Sequence, residues 1–197
     1  SYYHVMNRIG GDRYEYPFTD KDKDFFINLM GKLTGLFTVD IISYCVMGNH
    51  FHIILHLPQE QLSRPAAVER YNCFHEEDPK FKRLNYHGDI ETDAQMLAKI
   101  DTVRAQMRDL SEFMRSLQQQ YTCWYNHQHD RRGALWGSRF KSVVLEGDTA
   151  LWACAKYIEL NPVRAALVKD PGDYKHNSWG FWQQTGICMF ESCLKKH

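Results

Sequence analysis

The chain has 197 residues, 44% of them hydrophobic and 14% aromatic, enough apolar material for one sizeable core and too much for a disordered chain. Its 24 basic and 24 acidic residues balance to a formal net charge of zero, which argues against a protein that grips nucleic acid by bulk charge alone. No apolar run reaches the roughly eighteen residues of a membrane-spanning helix.

Residues 2–8, YYHVMNR, alternate and predict a first strand, with Gly10 and Gly11 leading a turn and a short extended return towards Phe18. Thr19 is a natural N-cap for the helix that comes next. Acids crowd its first turn, Phe25, Phe26, Leu29 and Leu33 recur at helical spacing, and Gly35 closes it. Residues 37–46 alternate with a period of two. Met47-Gly48-Asn49 is then expected to form a tight turn, with a glycine and an asparagine able to take positive φ, before residues 50–57 return as the partner strand and Pro58 ends it.

Residues 59–110 differ in character. Between Glu69 and Glu112 there are ten acids against seven bases, and one helix is expected near 92–110. The segment reads as a charged insertion, solvated in part. A core helix comes after it, with Ser111 as its expected N-cap and Phe113, Leu117, Tyr121 and Trp124 as its apolar stripe. A basic turn leads into a strand over about 138–146. The next helix is expected to start at Asp148 as cap and to turn Leu151, Cys154, Ala155 and Ile158 to the core. Asn161 and Pro162 give the start signal of a short further helix. The aromatic tail HNSWGFWQQ has no clear periodicity.

Strand, helix, strand, strand, helix, strand, then extra helices, is the order of an α+β, ferredoxin-like (split βαβ) antiparallel sheet with helices on one face. A single domain over 1–197, with the charged insertion at 59–110, accounts for the length. The six cysteines include no Cys-x-x-Cys pair, which favours free buried thiols in a reducing cytoplasm over disulfides or a zinc finger. The opening residues, SYYHVMNRIGG, lack the apolar core of a signal peptide, in keeping with a cytoplasmic protein without a membrane partner.

Two features carry chemistry. From Arg131 to Lys141 four cations stand with no acid among them, so a neutral total can hide a basic face. The second is VMGNHFHIILHLP, residues 46–58. On a strand, alternate side chains share a face, so His50, His52, Ile54 and His56 point one way and Phe51, Ile53, Leu55 and Leu57 the other, into the core. Side chains two apart on a strand lie about 6.6–6.8 Å apart. From there two imidazoles can lean together onto one ion, with nitrogens at about 2.0–2.2 Å. Surface histidines on a half-solvated face are the alternative. His56 lies too far along for the same ion.

The segments YCVMGNHFHIILHLP, FMRSLQQQYTCWYNHQHDRRGALWGSRFKS and AKYIELNPVRAALVKDPGDYKHNSW together resemble the single-tyrosine HUH transposases, in particular the REP-associated tyrosine transposase group. The resemblance covers about residues 2–57 and 111–182, and His50-Phe51-His52 matches the histidine–hydrophobic–histidine motif. It implies that the helix after the last core strand carries a catalytic tyrosine, at Tyr157. It also implies a third metal ligand one turn later, at Asn161, although Asn before Pro is equally a natural cap of the next helix. Without the resemblance, Tyr157 would pass for an ordinary amphipathic aromatic.

The activity that the resemblance implies is that of a transposase and single-stranded DNA endonuclease using Mg²⁺ or Mn²⁺. The ion on His50, His52 and Asn161 would orient the scissile phosphate, and Tyr157 would attack to give a 5′-phosphotyrosine and a free 3′-OH. Single-stranded or hairpin DNA is the expected partner, with Arg131, Arg132, Arg139, Lys141 and Arg164 contacting its backbone and Trp136 and Phe140 available for base stacking. Some members of the family share active sites across a dimer, so a homodimer is one expectation. Two alternatives stay open: a domesticated DNA-binding protein that no longer cuts, and a metal-dependent phosphodiester hydrolase that uses water.

Overall fold

The structure is a computed structural model and describes residues 1–11 and 17–188; the extended return expected after Gly11 falls largely outside them. Strands β1 (Tyr2–Arg8), β2 (Asp40–Val46), β3 (His50–His56) and β4 (Lys141–Leu145) form one antiparallel sheet in the spatial order β2-β3-β1-β4. Its register sets Tyr2 opposite His56, His4 opposite Ile54 and Arg8 opposite His50.

The β2–β3 turn closes through the Met47 N–H, which donates to the His50 carbonyl at 2.8 Å. Neither Gly48 nor Asn49 uses the positive φ open to it. Asn49 is instead fully buried, with its amide oxygen accepting from Arg8 and His50. A side chain committed to those bonds, rather than a special backbone conformation, explains an asparagine here.

Helices α1 (Asp20–Leu33) and, after an interval, the 19-residue Leu110–Gln128 helix cover one face of the sheet. Thr19 is the N-cap of α1 as expected, and with Asp22 it forms a capping box. Phe26, Met30 and Leu33 meet Phe113, Leu117 and Tyr121 over Val5, Phe51, Ile53 and Leu55, and this is the main core. Trp124 stacks on Phe25 at its edge, ring centroids 3.8 Å apart. The Leu110–Gln128 helix starts earlier than expected. Asp109, not Ser111, is its N-cap, accepting from the Ser111 and Glu112 N–H groups at 2.6 and 3.1 Å. A carboxylate takes both orphan donors and complements the helix dipole, so it displaces the serine.

Between these helices, α2 (Arg64–Phe74) and α3 (Ala94–Met107) give the charged segment order of its own. Val68, Leu84 and Ile100 make a small separate core, and the Arg64 guanidinium forks onto the Asp101 carboxylate at 3.0 and 2.6 Å. Arg70 fastens the segment to the body by donating to the carbonyls of Thr34, Leu36 and Phe37, where α1 ends. The Leu110–Gln128 helix is α4 in chain order.

Helix α5 (Gly147–Glu159) lies on the opposite face of the sheet, so helices cover both faces and not one. Leu151, Cys154, Ala155 and Ile158 pack on Cys45, Met47 and Ile54 as the spacing predicted. Asp148 is not the cap: Glu146 occupies that position without a side-chain bond, and the chain enters the helix through Gly147 at φ +77°. Nor is Asn161 a cap for the four-residue helix α6 (Asn161–Arg164). Its amide donates back to the Tyr157 carbonyl at 3.1 Å. The five described cysteines are free thiols, but Cys73 and Cys123 are exposed rather than buried. No described helix is long and apolar enough to cross a membrane.

The aromatic tail docks beside α5. Helix α7 (Ser178–Thr185) is capped by Asn177, and a Cβ on Gly180 would meet the Tyr174 carbonyl oxygen at 2.1 Å, so only glycine fits. The Tyr174 hydroxyl donates to the Val46 carbonyl at 2.8 Å. Glu159, two residues beyond Tyr157, joins the parts: its carboxylate accepts from Ser43 Oγ at 2.9 Å, from Ser178 Oγ, and from the Trp179 N–H at 3.2 Å. Glu159→Ala removes the acceptor for three donors at once. The expected loss is about 2–3 kcal/mol of unfolding free energy, read as a lower urea midpoint at unchanged slope.

Candidate functional site

The alternation of β3 turns His50 and His52 to the face that α5 covers. His52 is only 5% exposed and His50 is half-buried. Their rings stand 5.3 Å apart and nearly perpendicular, at 88°. Each is held at Nδ1: His50 donates to Asn49 Oδ1 at 2.7 Å, and His52 Nδ1 lies 3.0 Å from His4 Nε2. Burial and the neighbouring Arg8 guanidinium push His50 down to about 4. Burial, with His50, His4 and Arg8 nearby, pushes His52 down to about 3. Both are therefore neutral near pH 7, the state in which an imidazole can offer a lone pair.

Tyr157 comes down from α5 over this pair. Its ring meets His52 edge-on at 5.6 Å and 89°, and His4 at 6.3 Å. The Arg164 guanidinium stacks over the same ring at 4.9 Å. Tyr157 is 39% exposed, and no hydrogen bond reaches its hydroxyl among the described residues. It lines an open groove of about 740 Å³ together with His50, His52, Asn161, Arg164 and Lys141. Three elements remote in sequence, β3, β4 and the α5–α6 corner, thus bring six of the nine expected site residues together.

Arg131, Arg132 and Arg139 do not line the groove. Arg131 donates to Asn126 Oδ1 at 3.1 Å and lies over the Tyr125 ring. Trp136 and Phe140 pack in part against the main core and are half-buried, so only part of each ring is open to a base. His56 pairs with Asp40 at 3.1 Å and stacks on Tyr2, at the far end of the strand.

His4, Arg8 and Asn49 were not expected at the site, yet Asn49 bonds His50 and Arg8, and His4 bonds His52. A lone histidine in YYHVMNR stays silent until β1 is known to pair with β3. The antiparallel register then makes His4 and His52 diagonal neighbours on one face.

Among the described residues no three His, Cys, Asp or Glu side chains converge as a metal site, so any ion would rest on a mixed set. His50 and His52 fit such a set. An imidazole nitrogen about 2.1 Å from an ion sets its ring centroid about 3.3 Å from it, so two ligands at 90–110° stand roughly 4.6–5.4 Å apart. The observed 5.3 Å falls within that span. Asn161 Oδ1 accepts no bond among the described residues, and Asn161 lines the same groove as the histidines. Two imidazoles and one amide oxygen suit a borderline or hard divalent ion.

No protein-family model and no curated protein matches the chain. A solved structure of a REP-associated tyrosine transposase bound to a REP hairpin is similar to it, at a TM-score of 0.58 and 15% sequence identity, over 96% of this chain and 83% of that one. At that identity the likeness is one of fold: the α+β chain, with its four-stranded antiparallel sheet, is built like a REP-associated tyrosine transposase.

Proposed function

We propose that the protein is a metal-dependent DNA strand transferase, acting on single-stranded or hairpin DNA through a 5′-phosphotyrosine at Tyr157. The observation that carries this is the placing, in one groove with two neutral histidines and an amide side chain, of an exposed tyrosine whose hydroxyl makes no hydrogen bond among the described residues. The order β2-β3-β1-β4 supports a split-βαβ frame for the site, and the hairpin bound by the fold neighbour supports hairpin DNA as a substrate.

Tyr157 Oη attacks the scissile phosphorus and the P–O3′ bond breaks. The phenolic proton leaves with the 3′ oxygen, directly or through water, so one phosphodiester replaces another and no nucleotide triphosphate is consumed. His50, His52 and Asn161 would hold a Mg²⁺ or Mn²⁺ ion, which when bound would offset charge on the phosphate oxygens. Arg164, stacked over its ring, fixes the nucleophile in place. Lys141, at the start of β4, faces the backbone of a strand lying in the groove.

The test is a 3′-labelled oligonucleotide carrying a hairpin, incubated with protein and Mn²⁺ and run on a denaturing gel. Label that migrates with the protein and disappears with chelator is expected. Cleavage without an adduct would favour the hydrolase. Binding with neither product, across a panel of hairpins, would favour a DNA-binding protein that does not cut.

The position of the cations gives a further expectation. Lys141→Ala should weaken binding and lower the slope of log K against log salt by about 0.7, the value for one phosphate contact on a single strand. The double variant Arg131→Ala, Arg132→Ala lies outside the groove and should leave that slope within about 0.3 of the parent. Fluorescence anisotropy over a salt series reads both.

A further inference from the structure

We propose that His4 is a positioning residue for the site, which fixes His52 with its proton on Nδ1 so that Nε2 carries the lone pair. This rests on the metal reading above and extends it to a residue of β1. His4 is 7% exposed, and its ring lies edge to edge with His52, centroids 5.2 Å apart and planes 25° from parallel. His4 Nε2 and His52 Nδ1 are 3.0 Å apart, hydrogen-bond distance for two ring nitrogens, so one of them carries the shared proton and the other accepts it.

The two arrangements differ in what they leave free. With the proton on His4, the Nε2 of His52 must be protonated and cannot bind a cation. With the proton on His52 Nδ1, His4 is a pure acceptor at Nε2, and His52 Nε2 has its lone pair. His50 supplies the parallel case without ambiguity. Its Nδ1 faces Asn49 Oδ1, an atom that also accepts from Arg8 Nη1 and can only accept, so His50 carries its proton on Nδ1 and its lone pair on Nε2. Asn49 for His50 and His4 for His52 form matching supports, one from the turn and one from the neighbouring strand. His4 also meets the Tyr157 ring edge-on, so the residue that orients the histidine borders the nucleophile.

The tautomer can be read on the protein without metal, from long-range ¹H–¹⁵N spectra of histidine-labelled protein. His52 is expected as the Nδ1–H form in the parent and in His4→Gln, whose amide oxygen reaches the place of Nε2. His4→Phe keeps the ring and removes the acceptor, so His52 should shift towards the Nε2–H form. Mn²⁺ affinity should then fall about 10–100-fold, and return to within about threefold of the parent in His4→Gln. An Nε2–H form of His52 in the parent overturns the assignment and needs no variant. Parent-like affinity and tautomer in His4→Phe overturn the role of His4 alone. A parent protein that binds no Mn²⁺ overturns the metal reading, and this role with it, whatever the spectra.

Discussion

Tyr157→Phe is expected to fold like the parent and to form no covalent DNA adduct. The hydroxyl it removes makes no hydrogen bond among the described residues, and the ring contacts with His52, His4 and Arg164 survive the change. The unfolding free energy should therefore stay within about 0.5 kcal/mol of the parent. Loss of the nucleophile should cut adduct formation by at least about a thousandfold, or roughly 4 kcal/mol of activation free energy. The pairing matters: a variant that loses the adduct because it unfolds would carry no information, and this one is placed not to.

The second large effect is expected at the histidines, and there the two should part company in stability. His50→Ala and His52→Ala should each lower Mn²⁺ affinity by more than about a hundredfold, beyond the 10–100-fold of a residue that only supports a ligand, and adduct formation should fall with it. His50 is half-buried at the rim, so its loss should cost little stability. His52→Ala opens space at a position that is 5% exposed and strips His4 of its partner. A buried polar group left unpaired costs about 1–3 kcal/mol, to which the lost packing adds. Titration calorimetry with Mn²⁺ and urea unfolding of the same preparations separate the two effects.

Period two in residues 50–57 was enough to place His50 and His52 on one face and Phe51, Ile53 and Leu55 in the core, and the stripe through Ile158 was enough to turn α5 onto the sheet. These are local regularities of a strand and a helix, and they survive in any tertiary setting that buries one side. What alternation could not tell was that the histidine face is itself covered. Ile54 is fully buried beneath α5, so His52 is buried and His50 half-buried at the wall of a groove. The depressed protonation of His50 and His52 results from that covering.

Caps were less legible than elements, because several residues near a helix start can do the same job. Asp109 outcompeted Ser111, and Asn161 used its amide on the preceding turn instead of the following one. The cations divide for a related reason. Arg131, Arg132, Arg139 and Lys141 are close in sequence, yet Lys141 alone among them lines the groove, because β4 begins there and carries it alongside β1. His4 was hidden for the opposite reason, being 48 residues from the partner it touches.

Mass spectrometry of a trypsin digest of the adduct reads most directly whether Tyr157 becomes joined to DNA. Cleavage after Lys156 and Arg164 releases residues 157–164, YIELNPVR, in which Tyr157 is the sole tyrosine, and the same holds for residues 142–164 if the modified tyrosine blocks the cut at Lys156. A phosphonucleotide mass is expected on this peptide, with fragment ions that place it on Tyr157. A phosphonucleotide on any other residue, or a cleaved oligonucleotide with a 5′ phosphate and no modified peptide, would contradict the claim.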